Sequence, residues 1–298
     1  MTANMDQKRF GGGAQINEHG FVRVVDTMGD DAAIVQAARV SYGDGTKTVN
    51  EDRGLIRYLM RHRHTTPFEM CEIKFHLKMP IFVARQWFRH RTASINEYSG
   101  RYSEMKDEFY LPPLKRIAGQ SDTNKQGSGD ALAEGHALEI QESMQEEQEI
   151  VRKNYEHYLD EGVARELARV NLPLSQYTEC YWKIDLHNLF HFLSLRMDSH
   201  AQSEIRDFAI AMADAVKIWC PMAWEAFEDY ILGSQRLGRI DQDMLKWLVG
   251  YLDASNHLED VINNIDFYLD KYVEEKSVSI SKGEKREIAA RLTAIFGV

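Results

Sequence analysis

The 298-residue chain has three cysteines, six prolines and no uninterrupted apolar run of the about 18 residues a membrane-spanning helix needs. Cys71, Cys180 and Cys220 are far apart, odd in number and outside any C-x-x-C spacing, which excludes a disulfide framework and a zinc ribbon and makes a reducing compartment the simplest home. The opening MTANMDQKRFGGGAQ has no apolar h-region, so a soluble, cytoplasmic protein is expected. Basic charge is also short: 36 Lys and Arg stand against 46 Asp and Glu, for a formal net charge of −10. A protein that coats nucleic acid or anionic membrane needs a broad basic face, and this balance speaks against one. No G-x-G-x-x-G run, Walker loop or H-E-x-x-H occurs, so Rossmann, P-loop and zinc-peptidase chemistry have no support.

What is present suffices for a folded core, since 44% of the residues are hydrophobic and wholesale disorder is thereby excluded. Residues 1–20 are Gly-rich and polar and read as a loose arm. FVRVVDTMG reads as a first strand ended by Gly29, and DDAAIVQAARVSYG as a helix capped by Asp30 or Asp31. A second helix is expected around DRGLIRYLMRHRH. CEIKFHLKM then alternates, with Ile73, Phe75, Leu77 and Met79 on one side and Glu72, Lys74, His76 and Lys78 on the other, as a half-buried strand does. Pro80 stands where a first helical residue would, and IFVARQWFRH continues as a helix with Arg85, Gln86, Arg89 and His90 on one arc. Residues 117–130 read as a mobile loop or an insertion. An acidic helix of about 30 residues is expected from near Ala131 to ARELARV, stopped by NLP. Helices follow from DLHNLFHFLSLR to Pro221 and again beyond about residue 236.

Against this acidic background RHRTASINEYSGRY, residues 89–102, stands out. Arginine suits planar, bidentate recognition of phosphate and keeps its charge under all biological conditions. Between the arginines Ser94, Asn96, Glu97 and Ser99 supply donors and acceptors of the kind that read a base or sugar, so a nucleotide-sized anion fits the set. A solvated helix ion-paired to the acidic helix downstream explains the same composition about equally well. His187 and His191 are spaced i, i+4, but no third ligand is indicated nearby, and core or ligand-facing histidines are the better reading. LRMDSHAQSE puts Arg196 and His200 on one face if it is helical. Arg169 at the end of the acidic helix is explained by the helix dipole alone. The cysteines have apolar or aromatic neighbours and no basic partner, and read as packing residues.

RHRTASINEYSGRY resembles the R-H-R-x-x-S-x-N-E-x-S-x-R-Y signature of flavin-dependent thymidylate synthases, with all nine of its specified positions matched. The resemblance extends to AARVSYG, to TPFE at 66–69, to PIFVARQWFRHR and to LRMDSHAQSE, and covers roughly residues 20–235. It implies an α/β fold of the α+β type, a mainly antiparallel sheet flanked by helices, with a catalytic domain over 21–236 between the N-terminal arm and a helical C-terminal extension, 237–298. It implies reductive methylation of dUMP to dTMP with methylenetetrahydrofolate as carbon donor, NADPH as reductant and FAD as redox carrier. Hydride then comes from the flavin and no cysteine nucleophile is needed. By position, Gln86, Arg89, Glu97, Ser99, Gly100, Arg101, Arg169 and Arg196 would contact dUMP. Arg196 and Ser99 would be the catalytic residues: Arg196 would lie along the uracil ring, and Ser99, which has the look of a nucleophile without a base in sequence reach, takes a binding role beside it. Ser41, His64, Thr66, Glu69, Arg89, His90, Arg91, Asn96, Glu97, Asp185, His187, His191 and His200 would surround FAD, with no metal. The family assembles as homotetramers that share each active site between subunits.

Two departures from the family pattern stand out. Met70 occupies the position after TPFE where many relatives have His, and the segment from about 115 to 150 is longer than in compact relatives. The competing readings are a non-enzymatic RNA- or phosphate-binding module, opposed by the net charge, and a metal-dependent hydrolase using His187 and His191. A yellow preparation with a flavin spectrum separates the first reading from both.

Overall fold

The computed structural model describes residues 10–40, 49–122, 125–255, 264–276, 285–286 and 288–292. Ser41, one of the candidate flavin residues, lies outside the described residues. Residues 1–232 and 233–298 form separate units. The first is organised on a five-stranded antiparallel sheet, as the sequence led us to expect, in which β1 (Ala14–Gln15), β2 (Phe21–Met28), β3 (Glu72–Pro80), β7 (Tyr177–Asp185) and β4 (Ser94–Glu97) lie in the order β1-β2-β3-β7-β4. β3 is paired along its full length with β7, from Glu72 opposite Asp185 to Pro80 opposite Tyr177, and on its other side from Glu72 opposite Met28 to Lys78 opposite Phe21 on β2, with one register shift between Val24 and Asp26.

The alternation read in β3 holds. Ile73, Phe75, Leu77 and Met79 are fully buried, and the opposite face carries the Glu72–Lys183 pair at 2.6 Å and the Lys74–Asp26 pair at 3.2 Å. Lys78 is itself buried, its ammonium held 2.6 Å from Glu108. β7 follows the same rule, with Cys180, Trp182 and Ile184 inward and Tyr181 exposed. Onto the apolar face pack α4 (Ile81–Trp87), α7 (Leu186–Arg196) and α8 (Ser203–Trp219). The Trp87 ring lies 5.4 Å from Trp182 edge-on, 4.5 Å from Phe192 and 6.1 Å from Phe208. Aromatic pairs of this kind contribute about 0.5–1.5 kcal/mol beyond the area they bury.

Around this core, α1 (Asp31–Arg39), α2 (Val49–Arg61) and α3 (Thr66–Glu69) follow β2. Gly29 turns the chain at φ +75°, a left-handed angle that glycine adopts at little cost. Asp30 is the cap of α1, its Oδ1 accepting from the amides of Ala32 and Ala33. The neighbouring Asp31 works elsewhere: its carboxylate accepts from Met222 N at 2.8 Å and Ala223 N at 2.9 Å, capping α9 (Pro221–Phe227).

Several local readings are corrected. Within the N-terminal segment read as loose, Ala14–Gln15 pairs with Phe21 and Val22 as a strand. Pro80 ends β3 in an extended conformation, and the helix starts at Ile81. It stops at Trp87, so Arg89 and His90 lie in the turn beyond it rather than on the arc of Gln86. The 117–130 segment carries a hairpin, β5 (Ala118–Gln120) against β6 (Ser128–Ala131), because paired strands satisfy backbone groups that a loop would leave to water. The acidic helix α5 covers Glu134–Asp160 only. Gly162, at φ +78°, closes it with a Schellman pattern in which Gly162 N donates to Leu159 O and Val163 N to Tyr158 O. α6 (Arg165–Ala168) is separate, and Arg169 opens a 3-10 turn, Arg169–Asn171, so the dipole of the acidic helix does not account for it. β4 and β7 were not read as strands at all.

The second unit contains α10 (Arg239–Ser255) and α11 (Ile265–Lys276), with its own core of Met244, Leu248, Ile265, Tyr268, Leu269, Tyr272, Ile288 and Leu292. Its buried Asp241 is paired with Arg291 at 2.7 Å. Residues 256–263, within the region beyond about residue 236 expected to be helical, lie outside the described residues.

Asp31 spans the greatest sequence distance of any cap in the first unit, and Asp31→Ala is expected to lower stability by about 1–2 kcal/mol. Chemical denaturation of the variant beside the parent protein measures it.

Candidate active site

Between the turn that follows α4 and the helix α7, at the end of β7, a cleft of about 690 Å³ opens, lined by Arg89, His90, Arg91, Thr92, Ile184, Asn188, His191, Leu195 and Arg196. Three arginines and two histidines face it and no carboxylate does. The nearest acid in sequence, Asp185, caps α7: its two oxygens accept from Asn188 N at 2.9 Å and from the Asn188 side chain, Nδ2, at 2.8 Å. It was expected to contact flavin; the structure gives it this capping bond.

His90 sits beneath Arg196, which donates from Nε to His90 Nε2 at 3.1 Å. The accepting nitrogen must be unprotonated, so the ring proton is on Nδ1. Burial, the charge on Arg196 and the nearby His191 together push the His90 pKa down to about 4. Burial lowers the Arg196 pKa from its ordinary value as well. The His90 ring is fixed by Phe192 at 4.8 Å and faces His191 at 6.1 Å.

The remaining signature residues are held apart from this cleft. On β4, Glu97 accepts from the Thr178 hydroxyl at 2.7 Å, and Asn96 is paired with Tyr181 in the ladder. Ser99 Oγ accepts from Arg101 N at 3.3 Å. Gly100 is buried against the Arg169 side chain; a Cβ there would lie 3.1 Å from its Cδ and 2.7 Å from Met105 Sδ, so a larger residue would require the Met105 side chain to shift. The Arg101 guanidinium is 3.4 Å from Glu166, an exposed pair of small net value that a ligand phosphate can displace. Gln86 hydrogen-bonds the side chain of Gln202.

The third group of candidates lies in a separate, mostly apolar groove of about 1040 Å³ lined by residues of α1 to α3, among them Tyr58, His64, Thr66 and Met70. Glu69 is exposed beside it. The groove and the cleft share no lining residue, although α3 packs on α7 through Phe68 and Phe190. Met70 is half exposed and contributes an apolar thioether to the groove. His187 is partly buried and does not line the cleft, and among the described residues no three His, Cys, Asp or Glu are grouped to hold a metal. His200 is not on a helix with Arg196: α7 ends at Arg196, and His200 lies in the following turn with its Nδ1 2.8 Å from Asp198. The three cysteines are buried and free, and burial raises the Cys180 thiol to about 12. Thr92, Asn188 and Thr178 were missed from sequence; the period-2 alternation of YTECYWKID was the available signal for the last.

The profile of the family described as "Thymidylate synthase complementing protein" matches residues 23–222. A "Flavin-dependent thymidylate synthase" of Wolbachia pipientis wMel is 57% identical over 235 residues, covering 79% of this chain and 83% of that relative. Another so named, from Gluconobacter oxydans, is 59% identical over 223 residues, 74% of each chain. The chain belongs to the flavin-dependent thymidylate synthase family. Among solved structures, a UMP/dUMP methylase from Streptomyces cacaoi, bound with 5-Br dUMP, is 36% identical and covers 72% of this chain and 96% of its own, with a TM-score of 0.66. The family match over residues 23–222 takes in cleft, groove and signature turn.

Because the His90 pKa lies below the ordinary 6.5 in the folded protein, the unfolded chain binds a proton that the folded one does not between pH 6.5 and about 4. The associated stability is complete above pH 6.5 and is lost as the pH falls through that window. In His90→Gln this part of the pH dependence of unfolding is expected to be absent, as urea denaturation across the pH range measures.

Proposed function

We propose that this flavin-dependent thymidylate synthase methylates dUMP to dTMP, with methylenetetrahydrofolate as carbon donor, NADPH as reductant and FAD as its bound redox carrier. The observation that carries the reading is the acid-free cleft, where Arg89, Arg91 and Arg196 converge in a chain of net charge −10. FAD carries a pyrophosphate and dUMP a phosphate, and planar guanidiniums match such oxygens two at a time. The donor set of this cleft therefore fits the cofactor. When bound, FAD supplies the transfer of reducing equivalents to the pyrimidine, and the buried, raised thiol of Cys180 is in keeping with a route that needs no thiolate.

His90, Arg91, His191 and Asp185, with His64, Thr66, Glu69, Asn96, His187, His200 and Ser41, form the FAD set, to which Arg89 and Glu97 also belong. Gln86, Arg89, Glu97, Ser99, Gly100, Arg101, Arg169 and Arg196 form the dUMP set. Arg101 holds the phosphate, exchanging Glu166 for it, while the Gly100 amide comes close because no Cβ intervenes. Neutral His90 occupies Arg196 Nε and leaves its two terminal nitrogens for the uracil ring, where a fixed positive charge stabilises negative charge developing on the pyrimidine. Ser99 binds rather than attacks: its Oγ is already an acceptor for Arg101 N.

A homotetramer whose subunits share each site accounts for two ligand-binding surfaces on one chain that have no residue in common. Residues 21–236 are the catalytic domain and 237–298 a helical extension, in a cytoplasmic protein; among the described residues no helix is long and apolar enough to cross a membrane.

The purified protein is expected to be yellow and to convert dUMP to dTMP only when both NADPH and methylenetetrahydrofolate are supplied; a colourless protein, or none of this conversion by a flavin-loaded one, refutes the reading. Arg101→Ala is expected to weaken dUMP binding at least about tenfold, the cost of a lost charge-assisted bond, while flavin content stays near that of the parent. Loss of flavin instead would sink the assignment of Arg101, and absorbance with equilibrium titration reads both.

A further inference from the structure

Arg63 is, among the described residues, the one residue other than glycine with a left-handed backbone, at φ +56°. A Cβ crowds the following carbonyl oxygen at that angle, so glycine takes it freely and arginine does not. Such an outlier persists only where the surrounding structure determines it, and here two hydrogen bonds do. Arg63 N donates to Met60 O at 3.2 Å and His64 N to Leu59 O at 2.9 Å, the two bonds of a Schellman motif closing α2. The same motif closes α5, where the corresponding position is Gly162.

What differs is the residue that comes next. His64, which follows Arg63, lines the apolar groove, whereas Arg63 itself is exposed and does not. His64 is held from several sides. Its amide is engaged in the motif, and its ring meets the ring of Tyr58 edge-on at 5.9 Å, a contact with the preceding turn of the kind that accompanies such caps. Tyr58 is backed in turn by the His62 ring at 4.3 Å. On the far side, Thr65 O already accepts from Phe68 N at 2.9 Å and Glu69 N at 3.3 Å as α3 begins. His64 is thus a single residue between two hydrogen-bonded turns, and the direction of its side chain follows from the left-handed turn before it.

We propose that Arg63 is a positioning residue for FAD: its left-handed backbone, rather than its guanidinium, sets the His64 ring at the groove. The inference rests on the reading of His64 as a flavin contact. A residue that tolerates a left-handed angle at position 63 keeps the ring in place whatever its charge, and one that does not releases it. Glycine and asparagine are of the first kind. Proline, locked at about −65° and without an N–H for Met60 O, is of the second, and valine is disfavoured there by its branched Cβ.

The test titrates the full-length protein, freed of flavin, with FAD and records the melting temperature before FAD is added. Arg63→Gly and Arg63→Asn are expected to bind FAD within about twofold of the parent, and the glycine variant to melt about 2–4 °C higher. His64→Ala is expected to bind about tenfold more weakly, the loss of one well-made contact, and Arg63→Pro to match it. The Arg63→Pro/His64→Ala double variant then loses nothing further. Arg63→Val takes the place of the proline variant should that one not fold; a loss of at least about twofold is expected of it, absent in the His64→Ala background. If Arg63→Gly and Arg63→Asn lose affinity as Arg63→Pro does, the guanidinium is the contact and the proposal is overturned. A merely structural turn lowers the melting temperature of the proline or valine variant and leaves FAD affinity at the parent's, and an effect exerted elsewhere in the groove adds to that of His64→Ala; either overturns it, as does a glycine variant that melts below the parent. If His64→Ala binds FAD as the parent does, the assignment of His64 falls together with this inference; if His64→Ala weakens binding and the proline and valine variants do not, the assignment stands and only the inference is overturned.

Discussion

The full-length antiparallel ladder between β3 and β7 is the constraint on which the site depends. Its two strands deliver chain to opposite ends of the sheet: β3 runs through Pro80 into α4 and the turn carrying Arg89, His90 and Arg91, and β7 runs through Asp185 into α7 and Arg196. Both helices then return over the same apolar face, where Trp87 packs on Trp182 and Phe192. That packing brings His90 within a hydrogen bond of Arg196 across 106 residues of sequence. A one-residue slip in the ladder would turn Ile73, Phe75 and Leu77 outward, so the register is strongly specified by burial.

The same packing sets the electrostatics. Concentrating Arg89, Arg91 and Arg196 in one cleft is unfavourable in isolation, and no carboxylate lines the cleft to relieve it, the acids of this unit having other tasks. Asp185 caps α7, Asp31 caps α9, Glu97 is held by Thr178 and Glu204 by Arg116. A globally acidic protein thereby keeps one surface suited to phosphates, and His90, neutral by burial and by its cationic neighbours, serves as acceptor in a place where another charge would be repelled. Exposed pairs such as Arg101–Glu166 remain exchangeable because water and salt screen them.

Much of the fold was legible in the residues. β2, β3 and the helices of 31–39, 49–61, 186–196 and 203–219 follow period and capping signals that act within a few residues. The misses share a cause. β4 is a four-residue strand with no buried position, formed only because β7 offers it an edge, and β7 begins with two consecutive buried residues, Tyr177 and Thr178, which blur its alternation. The end of α5 at Gly162 was written in the sequence as a glycine closing a helix; NLP, a stronger stop further on, drew the boundary past it.

Sequence by itself determined the chemistry available: the RHR run, Ser99, Arg101 and Arg196, the absence of a reactive cysteine, and the family to which they belong. Tertiary structure decided which of those groups meet, because contacts between residues a hundred positions apart arise only when the sheet and its helices bury their apolar faces together. It separated His64 and Thr66 from His90 and Arg91, took Asp185 into a helix cap, freed Arg169 from the acidic helix, and set Gln86 against Gln202. Local propensity carries no information about such pairings, since the free energy that selects them comes from burial and hydrogen-bond satisfaction across the whole unit.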